Sequence, residues 1–135
     1  MISWLVDVDD ILALLGRLLL SMIFLAAAFS KITGFEATVK YMESYGIMGA
    51  SFFCALAVAV EALGAIALAL GYYTRWSAGL LGAFLIAATF IFHSAPDQRI
   101  HLLKNLAILG GLLHVMSAGA GALSMEGRKL VRNYL

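Results

Sequence analysis

Charge is scarce in this chain, and so are sulfur and proline. Of its 135 residues only 13% are Asp, Glu, Lys or Arg, and they sum to a net charge of +1. A soluble domain carries about one quarter charged residues, so an ordinary water-facing surface is excluded. The near balance of sign also excludes nucleic acid as a partner, because no basic stripe exists to neutralise phosphates. The single cysteine, Cys54, excludes an internal disulfide relay, since thiol exchange within the chain needs a second sulfur. Set among alanines, it reads as a small core residue. The single proline, Pro96, leaves the rest of the chain free of the strongest helix breaker.

Apolar residues fill the space that charge leaves. They make up 63% of the chain, and the mean hydropathy is +0.96. A transmembrane helix needs roughly 20 predominantly apolar residues. Four windows meet that length: 11–33, 49–71, 76–93 and 102–122. The fold class is therefore an all-α membrane protein, a four-transmembrane-helix bundle in one domain over 1–135. The leader "MISWLVDVDD" is acidic and Arg17 lies inside the first apolar run, so the first window reads as a retained span and not as a signal peptide.

The connections are short. In 35–46, "FEATVKYMESYG", the residues Phe35, Val39, Met42 and Tyr45 recur at helical spacing, which suits an interfacial helix between the first two spans or a loop with aromatic anchors. "GYYTRW" reads as a turn at headgroup level, and Pro96 with Asp97 ends one helix and starts the next. Gly64, Gly79, Gly82 and the pair Gly110 and Gly111 mark close helix approach. An even number of spans puts both termini on one side, with Arg75, Arg128, Lys129 and Arg132; Lys40 and Arg99 lie on the other. The side richer in loop cations is expected to be cytoplasmic. Lys31 and Lys104, at helix ends on the poorer side, even that tally.

The groups that could carry chemistry are ionisable residues inside the spans, where each costs on the order of 3 kcal/mol and usually marks a bundle interior, a pathway or a site. Glu61 sits in the middle of an apolar run, and Arg17 and Lys31 share one face of the first span. Side-chain direction favours Lys31 as the partner of Glu61, because helical side chains lean toward their own N-terminus. Depth favours Arg17, which lies too far inside to reach the headgroups. The expectation is a buried Arg17–Glu61 ion pair, with Lys31 as the alternative partner. A rise of about 1.5 Å per residue sets Lys31, His93, Lys104 and Asn105 at similar depth on three helices, a possible quinone or anion site. The competing reading has the lysines snorkelling to headgroups and Asn105 bonding a neighbouring helix.

Haem would need axial histidines from two helices at similar depth. Of His93, His101 and His114, only the first two meet that, and they flank a connection where interfacial histidines are ordinary. No His or Cys spacing supports a metal site.

An arginine early in "LLGRLLLSMIFLAAAFSKITGF", Lys31 before a "GF" turn, "TVKYMESYG", Glu61 followed by "LALGYYTRW", a histidine closing the third span, "KNLAILGGLL" and "GAGALSMEGR" together resemble the DoxX family of small bacterial inner-membrane proteins. The resemblance implies a four-helix bundle in the cytoplasmic membrane with both termini inside. Some members are subunits of quinone-linked oxidoreductases, including thiosulfate:quinone oxidoreductase and terminal quinol oxidase assemblies; many have no known activity. The chain supplies neither a haem pair nor a thiol pair, so it does not read as a self-sufficient enzyme. Three functions stay open: an accessory subunit of a redox complex contributing part of a quinone pocket, a small proton-coupled transporter using Glu61, and a structural or assembly protein. The partners implied are the lipid bilayer and either membrane-complex subunits or further copies of the chain.

Overall fold

The first helix starts where a carboxylate stops the chain from fraying. In the computed structural model, which describes residues 7–134, Asp7 accepts from the backbone N–H of Asp10 at 3.1 Å and Asp10 accepts from that of Asp7 at 3.2 Å. This reciprocal cap satisfies two donors that a helix start leaves free. Helix α1 therefore covers Val8–Thr33, three residues earlier than the apolar window, which by construction passes over acidic residues. Gly34 separates it from α2, Phe35–Ser44. Then follow α3, Ala50–Leu70, and α4, Thr74–Phe92. A 3-10 turn at Pro96–Gln98 leads into α5, Arg99–Ala118, and the last helix is α6, Met125–Tyr134.

Helices α1, α3, α4 and α5 are long and apolar enough to cross a membrane, and no strand occurs among the described residues. The all-α, four-span bundle is the fold. Segment 35–46 is helical through Ser44, and the "GYYTRW" turn is shorter than expected, with α4 already under way at Thr74. The fourth span is corrected: it ends at Ala118 and not at 122, because Gly119 adopts a φ of 82° and leaves the helix. The polar helix α6 falls outside the apolar windows altogether.

The spans pack in a ring. α1 lies against α3, α3 against α4, α4 against α5, and α5 returns to α1. Lipid tails are as apolar as leucine, so this packing draws on van der Waals contact and close approach more than on the hydrophobic effect. Leu68, Leu81 and Leu112 are fully sealed at its centre with Phe24, Ala65 and Ala78. A β-carbon on Gly64 would lie 2.9 Å from Leu81, and one on Gly111 3.1 Å from Leu20. Glycine is what lets those helices touch. Gly110 meets no neighbouring atom. Helix α2 lays Val39 and Met42 against Ala50 and Cys54 at the start of α3.

The end of α3 needs the left-handed backbone of Gly71, at φ 69°. There the N–H groups of Gly71 and Tyr72 donate back to Leu68 and Ala67, in the pattern that commonly closes helices. A side chain at 71 would also run into Ser124 and the Arg17 guanidinium.

Candidate functional site: a cavity with one polar end

Two polar centres lie inside the bundle, at different depths. The first surrounds Arg17, which is 1% exposed. One guanidinium nitrogen, Nη1, donates to the carbonyls of Leu68 at 3.1 Å and Ala69 at 2.9 Å, and Nη2 donates to that of Leu123. The last carbonyls of a helix lack intrahelical partners and carry the negative end of its dipole, so a buried cation is stable there. Glu126 adds a carboxylate to this end: it accepts from the backbone N–H of Thr74 at 2.7 Å, at the positive end of α4. The Ser124 hydroxyl accepts from Gly127 N–H at 2.9 Å and starts α6.

The second centre is the ion pair. Lys31 Nζ donates to both oxygens of Glu61, at 3.1 and 3.0 Å. The expected Arg17–Glu61 pair is therefore corrected: Arg17 is spent on carbonyls, and Lys31 holds the carboxylate. Side-chain direction decides this. In antiparallel α1 and α3 both residues lean toward their own N-termini, so Lys31 points inward and Glu61 points out to meet it. At its depth Arg17 does need acceptors, and the backbone carbonyls at the α3 terminus supply them in place of a carboxylate.

Lys31 and Glu61 form part of the lining of a cavity of about 650 Å³ between α1, α2, α3, α4 and α5. His93, Lys104 and Asn105 line the same cavity, so the four residues grouped by depth in the sequence share one space. Its walls are otherwise largely apolar, among them Phe24, Ala57, Phe84 and Ala88. Phe53, Leu56, Leu80 and Ile91 also line it and remain exposed on the outer surface of α3 and α4, which opens the space toward lipid.

Neighbours fix most of the polar groups. Asn105 Nδ2 donates to Thr89 Oγ1 at 3.0 Å, and that hydroxyl donates to the Leu85 carbonyl at 2.6 Å. This interhelical bond was the competing reading for Asn105, and it leaves one amide N–H and the amide oxygen without a bond among the described residues. His93 Nδ1 lies 3.1 Å from Gln98 Oε1, and its ring stacks on His101 at 5.1 Å. His114 is exposed on α5, away from that pair. Tyr41 of α2 reaches the cavity rim, stacked on Phe92 at 5.5 Å and hydrogen-bonded to Tyr45 at 3.2 Å. That hydrogen bond, with burial, raises its phenol above the ordinary range. Cys54 is buried under α2. Among the described residues no His, Cys, Asp and Glu cluster could hold a metal ion.

Tyr41, Ser124 and Glu126 escaped the sequence reading. Only the last two left a local signal, since a serine before "MEGRK" is a recognisable helix cap.

The family model described as DoxX matches residues 12–94. Inner membrane protein YqjF of Escherichia coli (strain K12) is 35% identical over 121 residues, covering 87% of this chain and 92% of that protein. Inner membrane protein YphA of the same organism is 32% identical over 126 residues, covering 87% and 90%. ER-derived vesicles protein ERV29 of Saccharomyces cerevisiae is 28% identical over 124 residues, which is 86% of this chain and 33% of that protein. No solved structure matches. With four apolar spans and relatives of this kind, the chain is an integral, multi-pass inner-membrane protein and belongs to the DoxX family.

Proposed function

We propose that the protein is an accessory subunit of a quinone-linked membrane redox complex, and that its cavity receives the quinone head. The observation that supports this is the cavity itself: about 650 Å³, mostly apolar, open toward lipid, with Lys31, Glu61, His93, Lys104 and Asn105 on its lining. Small-molecule sites typically span about 300–1,000 Å³ and combine apolar walls with a few polar groups. The residues fit the group, since lysine and amide N–H groups are the donors that a quinone carbonyl needs and the aromatic and alanine walls suit its ring and tail.

The transporter reading is weaker. Lys31 already engages both oxygens of Glu61, so a cationic substrate would have to displace it. The assembly reading draws support from the same ion pair, which joins α1 to α3, but gives no reason for the open cavity beside it.

Photo-crosslinking in native membranes with a quinone probe tests the proposal. Label is expected on peptides of α3 and α4 and should fall severalfold in Lys104→Leu/Asn105→Leu. Labelling that ignores both changes contradicts it.

The end bearing the α3–α4 turn is proposed to face the cytoplasm. Glu126 fastens α6, with its Arg128, Lys129 and Arg132, to the turn that precedes Arg75, and Lys129 lies 5.6 Å over the Tyr72 ring. The loop cations thus gather at one end. A periplasm-active phosphatase should be silent when fused after residue 135 and active when inserted near Met42. The opposite pattern reverses the orientation.

A further inference from the structure

A second, smaller cavity lies at the end of the bundle where α3 turns into α4. It measures about 170 Å³, is lined by Tyr72, Tyr73, Glu126 and Lys129, and shares no lining residue with the larger one. Tyr73 has a φ of 45°, a left-handed conformation uncommon for a residue with a β-carbon, and its ring meets that of Tyr72 edge to face at 4.6 Å. Both rings are exposed just beyond the last residue of a span. That is headgroup level.

The two charges on the lining are opposite and do not meet. Glu126 and Lys129 are three residues apart on α6, a spacing at which such side chains commonly pair, yet the ion pair found among the described residues is that of Lys31 with Glu61. One oxygen of Glu126, Oε1, is taken by the Thr74 N–H at 2.7 Å, and Oε2 has no hydrogen bond among the described residues. Lys129 Nζ is turned over the Tyr72 ring at 5.6 Å. A half-buried carboxylate and an ammonium thus line one small space without neutralising each other. Their complement is a short head that carries both signs of charge.

We propose that this cavity seats the headgroup of an aminophospholipid, with the phosphate on Lys129 and the primary ammonium on Glu126 Oε2 and against the Tyr73 ring. The neighbouring surface identifies the occupant as a lipid. Leu63, Ile66 and Leu70 are exposed at spacings of three and four on one face of α3, and that stripe ends three residues before Tyr73. It gives acyl chains an apolar path that starts at the cavity. An ethanolamine head satisfies both charged groups. Choline has no N–H to give the carboxylate, and a head without a cation would bring its phosphate close to Glu126 with nothing to offset the repulsion.

Native mass spectrometry tests this on the purified protein released from nanodiscs that hold equal parts of phosphatidylethanolamine, phosphatidylcholine and phosphatidylglycerol with the same chains. One phosphatidylethanolamine is expected to stay bound, at least about fivefold in excess of either other lipid, since a hydrogen bond between charged groups is the stronger kind. Glu126→Gln keeps an oxygen for the Thr74 N–H and removes the charge, so it should bring the ethanolamine and choline lipids to parity. Lys129→Met, at an exposed position outside the core, should lower phosphatidylethanolamine retention severalfold. Equal retention of the three lipids, a preference for phosphatidylglycerol, or a preference for phosphatidylethanolamine that survives both changes overturns the assignment. So does chain-free glycerophosphoethanolamine binding as tightly as the lipid.

Discussion

Replacing Arg17 with methionine is expected to cost about 3 kcal/mol or more of stability, because the carbonyls of Ala69 and Leu123 lose their donor and a buried acceptor left unmatched costs roughly 1–3 kcal/mol. The damage should be local in its first appearance. Arg17 ties α1 to the end of α3 and to residue 123, and the same end holds Gly71, Ser124 and Glu126 in close contact. Limited proteolysis in mild detergent should therefore cut between residues 119 and 127 faster in the variant, ahead of global unfolding. Arg17→Lys keeps the charge but not the planar fork, so it should recover part of the loss. A variant with normal abundance and an uncut tail would show that these bonds do not hold the segment.

Lys31→Met is expected to be the other severe change, and a more severe one than Glu61→Gln. The asymmetry comes from exposure. Glu61 has a 5% exposed side chain and, among the described residues, no partner other than Lys31, whereas the Lys31 side chain is 25% exposed and two residues before the end of α1. Removing one member of a buried pair costs about 3–5 kcal/mol when the other stays charged and sealed. A lysine near a helix end escapes most of that by extending toward the headgroups. Thermal unfolding in one detergent should rank Lys31→Met below Glu61→Gln, with wild type above both. The reverse ranking would mean that Glu61 has a second partner.

Much of this was legible in the residues. Spans follow from composition and length, since apolar runs of this size have no other stable solvent. A rise of 1.5 Å per residue was enough to group Lys31, His93, Lys104 and Asn105, which the structure sets along one cavity. What could not be read was what competes for Arg17. A comparison of side chains offers Glu61 as the obvious acceptor, while the carbonyls of Leu68, Ala69 and Leu123 belong to every sequence equally and become acceptors only once helix ends are fixed. Helix α6 was missed for a related reason. Hydropathy windows register apolar length, whereas the structure fastens this polar segment through Glu126 and Ser124.

The central structural claim is that Lys31, and not Arg17, holds Glu61 at the cavity. Two double-mutant cycles, Lys31→Met with Glu61→Gln and Arg17→Met with Glu61→Gln, read by unfolding free energy in the same detergent, test it directly. The first cycle should show coupling of about 1–3 kcal/mol, with the double variant recovering much of the loss of Lys31→Met, and the second should be additive within about 0.5 kcal/mol. Coupling between Arg17 and Glu61 with none between Lys31 and Glu61 would contradict the account.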